Sequence, residues 1–355
     1  MPLLSPRRTS HVRLGSLALV LALLSACAGS DDGTDPTTAT PAGEEADDGA
    51  APDDAGFPVT LEGAFGEATI EAPPERIVAL GVTDADVVLA LGTTPVAHGG
   101  YAFFERGLGP WADGLVDDGA ETHVIRNDSE PDLDLLASLQ PDLILAVSSG
   151  IEQDVYDLLS QIAPTVARPA DTEPYQVDRA QATELIATAM GQPERGRELN
   201  DDVDEALADA RDQHPEFAGA TATAVLPFGD NYAAFTPGDA RGQFLASLGF
   251  ELPDAIAELV DDESFYVELS PEQVDRLDGD VVLGLVDAEG ADVTEGNALF
   301  DQLDVVRDGG VIDTTLDQRG AMTYNTVLSI PYALEVLVPD LAAAVAATGP
   351  SAGRD

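Results

Sequence analysis

Two stretches of short apolar segments that alternate with helical patterns flank one long helical segment in this chain. Segments 141–147 and 280–286 are apolar runs of the buried-strand type, and each follows a short helical pattern. This alternation is typical of mainly parallel sheets covered by helices. Between the two stretches, the segment 192–215 carries apolar side chains at helical spacing, and the helix of about 22 residues that it predicts extends about 33 Å. The sequence therefore predicts an α/β fold with two lobes, 58–191 and 216–346, joined by one long helix.

The N-terminus has the parts of an export signal. Three arginines precede an apolar run, 14–24, which is followed by the motif LSAC ending at Cys27, the single cysteine of the chain. This motif resembles the lipobox of bacterial lipoproteins, so we predict a signal peptide over 1–26 and lipid attachment at Cys27. An ordinary signal peptide with an incidental cysteine and an uncleaved anchor are the alternatives. The arginine pair at 7–8 leaves the general and the twin-arginine export routes open.

Residues 27–57 are rich in Asp, Glu, Gly, Ala, Thr and Pro and show no periodicity, which predicts a disordered tether behind the lipid anchor. The whole chain carries 66 acidic and 16 basic residues, for a formal net charge of −50. A field of this sign argues against nucleic acid and anionic lipid surfaces as partners, and it repels an anionic small molecule at long range. We interpret it as a solvated acidic surface. In salt of about 1 M the screening length falls to about 3 Å, so a local arginine cluster can still dominate a cleft.

Several short motifs occur in order across residues 58–345. They are PERIVAL (74–80), LGTTPV (91–96), LQPDLIL (139–145), LSQIAPTV (159–166), RGQFLASLGF (241–250), LSPEQV (269–274), the stretch 299–311 and SIPYAL (329–334). Together they resemble the helical-backbone substrate-binding proteins of ABC importers for iron–siderophores, haem and cobalamin. The resemblance implies the class III architecture, in which two Rossmann-like lobes are joined by a single helix, here 192–215, and the ligand lies in the cleft between them. Residues 347–355 are then a tail.

The resemblance also implies a function. The chain would be a monomer, lipid-anchored at the extracytoplasmic face of the cell membrane, that captures a ferric siderophore and hands it to an ABC permease. It would need no cofactor, because iron enters only as part of the bound siderophore. A haem or cobalamin receptor is the alternative within the family. The alternative from another class is an exported hydrolase, such as a glycosidase with two carboxylates about 5–10 Å apart.

Aromatic residues make up only 5% of the chain, yet several of them lie near arginines in predicted loops. Ferric siderophores are bulky, often anionic and partly aromatic, so their sites call for aromatic walls and for Arg. Arg126 also follows a predicted strand, and open α/β sheets bind ligands at such strand ends. We expect Arg126, Arg241 and Arg319 to supply charge to an anionic ligand, the alternative being aromatic residues in the core and arginines on the surface. The predicted ligand-binding residues are Tyr101, Phe104, Trp111, Arg126, Tyr232, Arg241, Arg319 and Tyr324.

Two acidic residues occupy positions at which the resembled family pairs with arginines of the permease. Asp134 opens the helical pattern before the Pro-Asp-Leu strand, and Glu272 follows Leu-Ser in the second lobe. The family usually has Glu at the first position, and Asp134 is shorter. We predict that these two acids dock the lobes onto the permease, whereas the alternative is that both stabilise the positive ends of helix dipoles.

Metal binding by protein side chains and catalysis find little support in the sequence. The histidines after Cys27 are His98, His123 and His214, and no pair has metal-ligand spacing, which disfavours receptors for zinc and manganese. No nucleophile elbow, phosphate loop or dinucleotide fingerprint is present in the sequence. We therefore predict a binding protein without a metal site of its own and without enzymatic activity.

Overall fold

The computed structural model describes residues 56–260, 264–286, 293 and 297–349. The predicted signal peptide, Cys27 and the predicted tether up to residue 55 lie outside the described residues, as do residues 350–355 of the predicted tail.

The first lobe contains a parallel sheet preceded by a hairpin. Its elements are β1 (Val59–Gly63), β2 (Gly66–Ile70), β3 (Ile77–Ala79), α1 (Asp84–Ala90), β4 (Ala97–His98), β5 (His123–Val124), α2 (Leu133–Ser138), β6 (Leu143–Ala146), α3 (Gln153–Leu159), β7 (Thr165–Ala167) and α4 (Arg179–Ala189). The five-stranded sheet has the order β5-β4-β3-β6-β7, with all neighbours parallel. In β3, Ile77 and Ala79 pack into one hydrophobic cluster and Val78 into another, as expected for a strand buried on both faces.

The second lobe contains a mixed sheet. Its elements are β8 (Ala222–Phe228), β9 (Asn231–Phe235), α6 (Ala240–Ser247), α7 (Asp254–Ala257), β10 (Tyr266–Leu269), β11 (Val281–Gly284), α8 (Asp304–Arg307), β12 (Val311–Asp313) and α9 (Leu316–Tyr324), and a 3₁₀ helix (Pro271–Leu277) precedes β11. The sheet has the order β10-β9-β8-β11-β12. Strands β8, β11 and β12 are parallel, whereas β9 is antiparallel to both of its neighbours. Only two residues join β8 to β9, which is too short for a crossover helix and therefore forces the antiparallel pairing.

One long helix, α5 (Pro193–Gln213), connects the lobes. Its buried residues include Leu199, Val203 and Leu207, which the sequence places on one helical face. This helix contacts α4 of the first lobe and the C-terminal helix α10 (Ser329–Thr348) of the second, so it packs against both halves of the protein.

The C-terminal helix α10 runs through Pro339. By length and hydropathy it is the one helix of the described residues that could cross a membrane. Ile330, Leu337 and Leu341 on this helix are buried in the main hydrophobic cluster, which makes it a core helix of this fold.

Each lobe has an aspartate just before the fourth strand of its sheet, at an equivalent place. Asp142, just before β6, accepts hydrogen bonds from the backbone N–H groups of Glu75 (2.9 Å) and Arg76 (2.8 Å), which precede β3. Asp280, just before β11, accepts one from the backbone N–H of Thr221 (2.9 Å), which precedes β8. Each carboxylate thus ties two neighbouring parallel strands together at their amino ends, which explains why both halves repeat the order of helix, Asp and apolar strand.

Candidate functional site

A cleft of about 590 Å³ lies between the two lobes. On the side of the first lobe it is lined by residues that follow β3, β4, β5 and β6, and by the segment that leads into α4. The second lobe contributes the turn after β9, the beginning of α6, a residue just before β10 and the turn between α9 and α10. A volume of this size falls in the range of small-molecule sites in proteins. The lining side chains used below are Asp84, Tyr101, Arg126, Asp128, Tyr175, Asp178, Arg179, Asp239, Arg241, Phe265, Tyr324 and Thr326.

Asp84, at the first position of α1, fixes the base of the cleft in the first lobe. Its buried carboxylate accepts hydrogen bonds from the backbone N–H groups of Gly81 (3.2 Å), Val147 (2.9 Å) and Ser148 (3.0 Å). Burial raises the pKa of Asp84 to about 6, against the effect of these donors, which favour the ionised form. The side chain holds the chain segments after β3 and β6 in place, and we assign it a structural role.

Tyr175 forms one wall of the cleft. Its hydroxyl donates to Asp128 Oδ2 (3.0 Å) and lies 3.0 Å from Ser129 Oγ, and the same Asp128 oxygen accepts from the backbone N–H of Gly150 (2.9 Å). A side chain at Gly150 would collide with this arrangement, because a Cβ there would lie 2.3 Å from the Tyr175 hydroxyl. Tyr175 is 48% exposed, so its ring is available to a ligand.

Arg241 and Asp239 form a closed ion pair in the second lobe. Nε and Nη2 of Arg241 bond to the two carboxylate oxygens of Asp239, at 2.6 and 2.7 Å. The guanidinium also lies 3.6 Å from the centre of the Phe235 ring, in a cation–π contact. Asp239 caps α6 as well, accepting from the backbone N–H of Arg241. The charge of Arg241 is therefore largely compensated within its own lobe.

Tyr101 and Tyr324 meet where the lobes touch. The ring centroids lie 5.1 Å apart, and the backbone N–H of Tyr101 donates to the Tyr324 hydroxyl (3.0 Å). That hydroxyl in turn donates to the carbonyl oxygen of Gly107 (2.8 Å). Burial raises the pKa of Tyr101 to about 12, and burial also raises the pKa of Tyr324, so both phenols stay neutral in any physiological medium.

Phe104 and Trp111 do not line the cleft. Both pack against Tyr324, at ring-centroid distances of 5.9 and 5.0 Å. The contact is tight, since a Cβ at Gly320 of α9 would lie 2.5 Å from the Phe104 ring. Both residues were expected at the ligand, whereas the structure places them in the junction between the lobes, behind the cleft wall.

Asp86 crosses the same junction. The indole N–H of Trp111 (2.7 Å) and the hydroxyl of Thr326 (2.6 Å) both donate to its Oδ2 atom. Its other oxygen is buried and has no hydrogen-bond partner within the described residues. Burial raises the pKa of Asp86 to about 7. A side chain of α1 in the first lobe is thereby bonded to the turn that precedes α10 in the second.

Tyr232 and Arg319 also lie outside the lining of the cleft. Tyr232 packs on Phe300 in the core of the second lobe, because its position in β9 points it into that cluster. Arg319 donates to the carbonyl oxygen of Val286 and lies 4.9 Å from the Phe103 ring. Of the three arginines expected at the ligand, Arg126 and Arg241 line the cleft, and the geometry removes Arg319 from the cleft wall.

Eight of the lining side chains named above were not predicted from the sequence: Asp84, Asp128, Tyr175, Asp178, Arg179, Asp239, Phe265 and Thr326. Asp128 lies two residues after Arg126 at the same strand end, so the rule that singled out Arg126 could have found it. Tyr175 adopts a left-handed backbone conformation (φ +64°) in a loop without periodicity, and no sequence pattern signals it.

No group of three or more His, Cys, Asp or Glu side chains is placed to hold a metal ion in the described part of the chain. Of the three histidines in the described residues, His98 and His123 lie on the paired strands β4 and β5 at successive register positions, and His214 follows α5 in another part of the fold. His98 is buried, with Nδ1 2.8 Å from the Gly99 carbonyl oxygen, His123 belongs to β5, and His214 pairs with Glu216 (2.9 Å).

Comparisons with known proteins agree with this geometry. The family described as periplasmic binding protein matches residues 77–317. The Fe(3+)-citrate-binding protein YfmC of Bacillus subtilis is 26% identical over 255 residues, 71% of this chain and 76% of the relative. The probable siderophore-binding lipoprotein YfiY of the same organism is 29% identical over 227 residues, covering 63% and 67%.

A solved structure supports the fold. The periplasmic solute binding protein of Mycobacterium smegmatis superimposes with a TM-score of 0.72 at 28% identity, covering 81% of this chain and 98% of that one. The predicted fold class, two α/β lobes with a long connecting helix, is confirmed.

Proposed function

Because the chain belongs to the periplasmic binding protein family, we propose that it captures a ferric siderophore in the cleft between its lobes and delivers it to the permease of an ABC importer. The observation that carries this proposal is the cleft of about 590 Å³, whose walls combine exposed aromatic rings with charged side chains from both lobes. Relatives named for ferric citrate and for siderophores supply the chemical class of the ligand. Iron is the cargo here and reaches the protein already chelated.

The carboxylates of the cleft favour binding over hydrolysis. Asp84 accepts three backbone N–H groups, Asp128 holds Tyr175 and a backbone N–H, and Asp239 is paired with Arg241. A glycosidase needs one carboxyl group that protonates the leaving group and a second that attacks or activates water. In this cleft each of these aspartates is engaged in positioning a neighbour, so we infer a binding protein rather than an exported hydrolase.

The site of action follows from the N-terminal signal. Relatives described as lipoproteins support an extracytoplasmic protein. We infer that Cys27 carries the lipid, that the acidic segment behind it acts as a tether, and that the chain works as a monomer at the outer face of the cell membrane. Mass spectrometry of the membrane-associated protein should show an acylated Cys27 as the first residue. An unmodified N-terminus elsewhere would contradict this assignment.

The docking proposal for Asp134 and Glu272 gains from the fold. Asp134 is exposed in the first turn of α2, and Glu272 is exposed in the first turn of the 3₁₀ helix that precedes β11. Strands β6 and β11, which follow these helices, are the fourth strands of their respective sheets. The two acids therefore occupy equivalent places in the two lobes, as an importer with two similar halves requires.

Ligand binding tests the proposed function. Trp111 is the single tryptophan of the chain and contacts Tyr324, which lines the cleft, so its fluorescence reports on occupancy. Titration with ferric siderophores should quench it saturably, and calorimetry should give the same affinity, while the iron-free chelators bind at least tenfold more weakly. Saturable binding of haem or cobalamin, with no binding of any ferric chelate, would overturn the assignment in favour of another member of the same family.

A further inference from the structure

The arginines of the cleft are mostly neutralised by the protein itself. Three of them line it: Arg126, Arg179 and Arg241. Arg241 is closed onto Asp239 in the ion pair described above, and the Arg179 side chain, 13% exposed, bonds to Asp204 (2.6 Å) and Asn200 (3.0 Å) of α5. Arg126 donates to the carbonyl oxygen of Glu105 and is exposed to solvent, where its field is screened. These arginines therefore do not form a focused positive site for an anion.

The carboxylates of the cleft are compensated less completely. Four aspartates line it, and three of them, Asp84, Asp128 and Asp178, accept hydrogen bonds from neutral donors. Such donors stabilise a carboxylate without cancelling its charge. The lining thus holds four acidic against three basic side chains, with no excess of positive charge on either wall.

The field of the whole protein acts in the same direction. The chain carries a formal net charge of −50, and the low-dielectric walls of a cleft focus the field of the surrounding charges. Association with a polyanion is slowed by such a field, whereas a cation is drawn in. The effect weakens with salt, because the screening length is about 8 Å at physiological ionic strength.

The aromatic lining suits a ligand without negative charge. Tyr101 and Tyr175 of the first lobe and Phe265 and Tyr324 of the second line the cleft. The faces of aromatic rings carry partial negative charge, so they attract cationic groups and pack against the hydrocarbon of a chelator, but they repel anions.

Resting on the proposed function, we propose that the cleft selects ferric chelates that carry no net negative charge, such as trihydroxamates, over the polyanionic complexes of catecholates and citrate. Three hydroxamates each lose one proton and together neutralise Fe³⁺. Three catecholates each lose two protons and leave the complex trianionic, and citrate complexes retain ionised carboxylates. This assignment differs from the ligand named for the Bacillus subtilis relative YfmC, so ferric citrate is a direct competitor in the test.

Calorimetric titration of the purified protein with four probes separates the outcomes. The probes are ferrioxamine B, which is cationic, ferrichrome, which is neutral, ferric citrate and ferric enterobactin. We expect the first two to bind at least tenfold more tightly than the last two, and the affinity for ferrioxamine B to fall as salt is raised. Tightest binding of ferric citrate or ferric enterobactin would overturn the charge preference while leaving ferric chelate capture intact. Binding of none of the four would overturn the proposed function and the charge preference with it.

The variant Asp239→Asn tests the proposed cause. Asn retains the cap of α6, because Asn and Asp are equally good N-cap residues, but it leaves Arg241 without its counter-charge. We expect the ratio of affinities for ferric citrate and ferrichrome to shift at least fivefold towards citrate. The matched control is Asp209→Asn, an exposed change on α5 away from the cleft, which should leave the ratio unaltered. An unchanged ratio in folded Asp239→Asn would contradict the role of the ion pair in selecting the ligand.

Discussion

The strands of the two sheets are arranged in equivalent order, but the two lobes line the cleft with opposite ends of their parallel strands. In the first lobe all strands are parallel, and cleft residues follow the carboxyl ends of β3, β4, β5 and β6. In the second lobe the tight turn between β8 and β9 reverses β9. The turn after β9, which carries Asp239 and Arg241, therefore lies beside the amino end of β8.

This difference shows the reach of the rule that open α/β sheets bind ligands at strand carboxyl ends. The rule locates Arg126 in the first lobe and fails in the second, because a two-residue link replaces the helical crossover there. Equivalent strands in two similar lobes therefore do not have to line the cleft with the same end. The lobes remain equivalent at the amino ends of their parallel strands, where Asp142 and Asp280 act.

The largest loss of stability from these substitutions should come from removing the carboxylates that occupy equivalent places in the two lobes, Asp142 and Asp280. Asp280 is fully buried and bonds to both the backbone N–H and the hydroxyl of Thr221, whereas Asp142 is exposed. We expect Asp280→Ala to lower the free energy of unfolding by about 2–3 kcal/mol, since it leaves two partly buried donors of Thr221 without this acceptor, and Asp142→Ala by about 0.5–1.5 kcal/mol. Urea denaturation of both variants measures the difference. Equal losses would show that burial does not distinguish the two carboxylates.

A smaller loss of stability is expected from removing a tyrosine hydroxyl, and it should be larger at the junction between the lobes than in the core of one lobe. Tyr324→Phe removes a hydroxyl that bonds to two backbone groups of the first lobe, and should cost about 1–2 kcal/mol and weaken ligand binding. Tyr232→Phe, the matched control, removes one bond to Asn297 within the second lobe, and should cost about 0.5–1 kcal/mol without changing the affinity. Loss of ligand affinity in Tyr232→Phe, with a native circular dichroism spectrum, would show that Tyr232 contributes to ligand binding after all.

The junction should also respond to pH through Asp86. Its pKa is raised from 3.8 to about 7 in the folded protein, so the folded state binds more protons than the unfolded state between these values. Its contribution to stability is therefore greatest below about pH 4 and is lost as the pH rises to about 7, by at most about 1.4 kcal/mol per pH unit. Asp86→Asn should gain stability over the wild type at pH 8 and lose this advantage at pH 4.

Asp84→Asn is the contrasting variant. Its carboxylate accepts three backbone N–H groups, which a side-chain amide matches with one oxygen only. Asp84→Asn should lose stability for lack of these hydrogen bonds, and the loss in chemical denaturation should shrink as the pH rises from about 4 to about 6, because burial disfavours the ionised carboxylate of the wild type. For Asp86→Asn, a plot of stability against pH that runs parallel to that of the wild type would show that Asp86 does not titrate between about pH 4 and 7.

The smallest effect on the protein itself is expected at the docking positions. Exposed charge pairs contribute about 0–1 kcal/mol each, so Asp134→Ala and Glu272→Ala are best combined. The double variant should keep its stability and ligand affinity while uptake by cells falls, since both lobes then lose their contact with the permease. Normal uptake at matched protein levels and low salt would refute the docking assignment, and a loss of affinity would place these acids in the fold or the cleft.

The sequence by itself determined the parts that depend on neighbours along the chain. Apolar runs around Val78 and Val282 predicted buried parallel strands, and the helical spacing of Leu199, Val203 and Leu207 predicted the connecting helix. These patterns can be recognised in the sequence because burying one face of a helix or strand makes apolar residues recur with the period of that element. The placement of Arg126 in the cleft followed from the same local logic.

Only the tertiary structure decided which side chains meet across the lobes. Tyr101 and Tyr324 share a hydrogen bond although 223 residues separate them, and Asp86 bonds to Thr326 across 240 residues. Arg319 and Tyr324 were both expected at the ligand, yet of the two only Tyr324 lines the cleft. Periodicity states which face of an element is buried, but not what covers it. That depends on how the lobes pack, which no local pattern records.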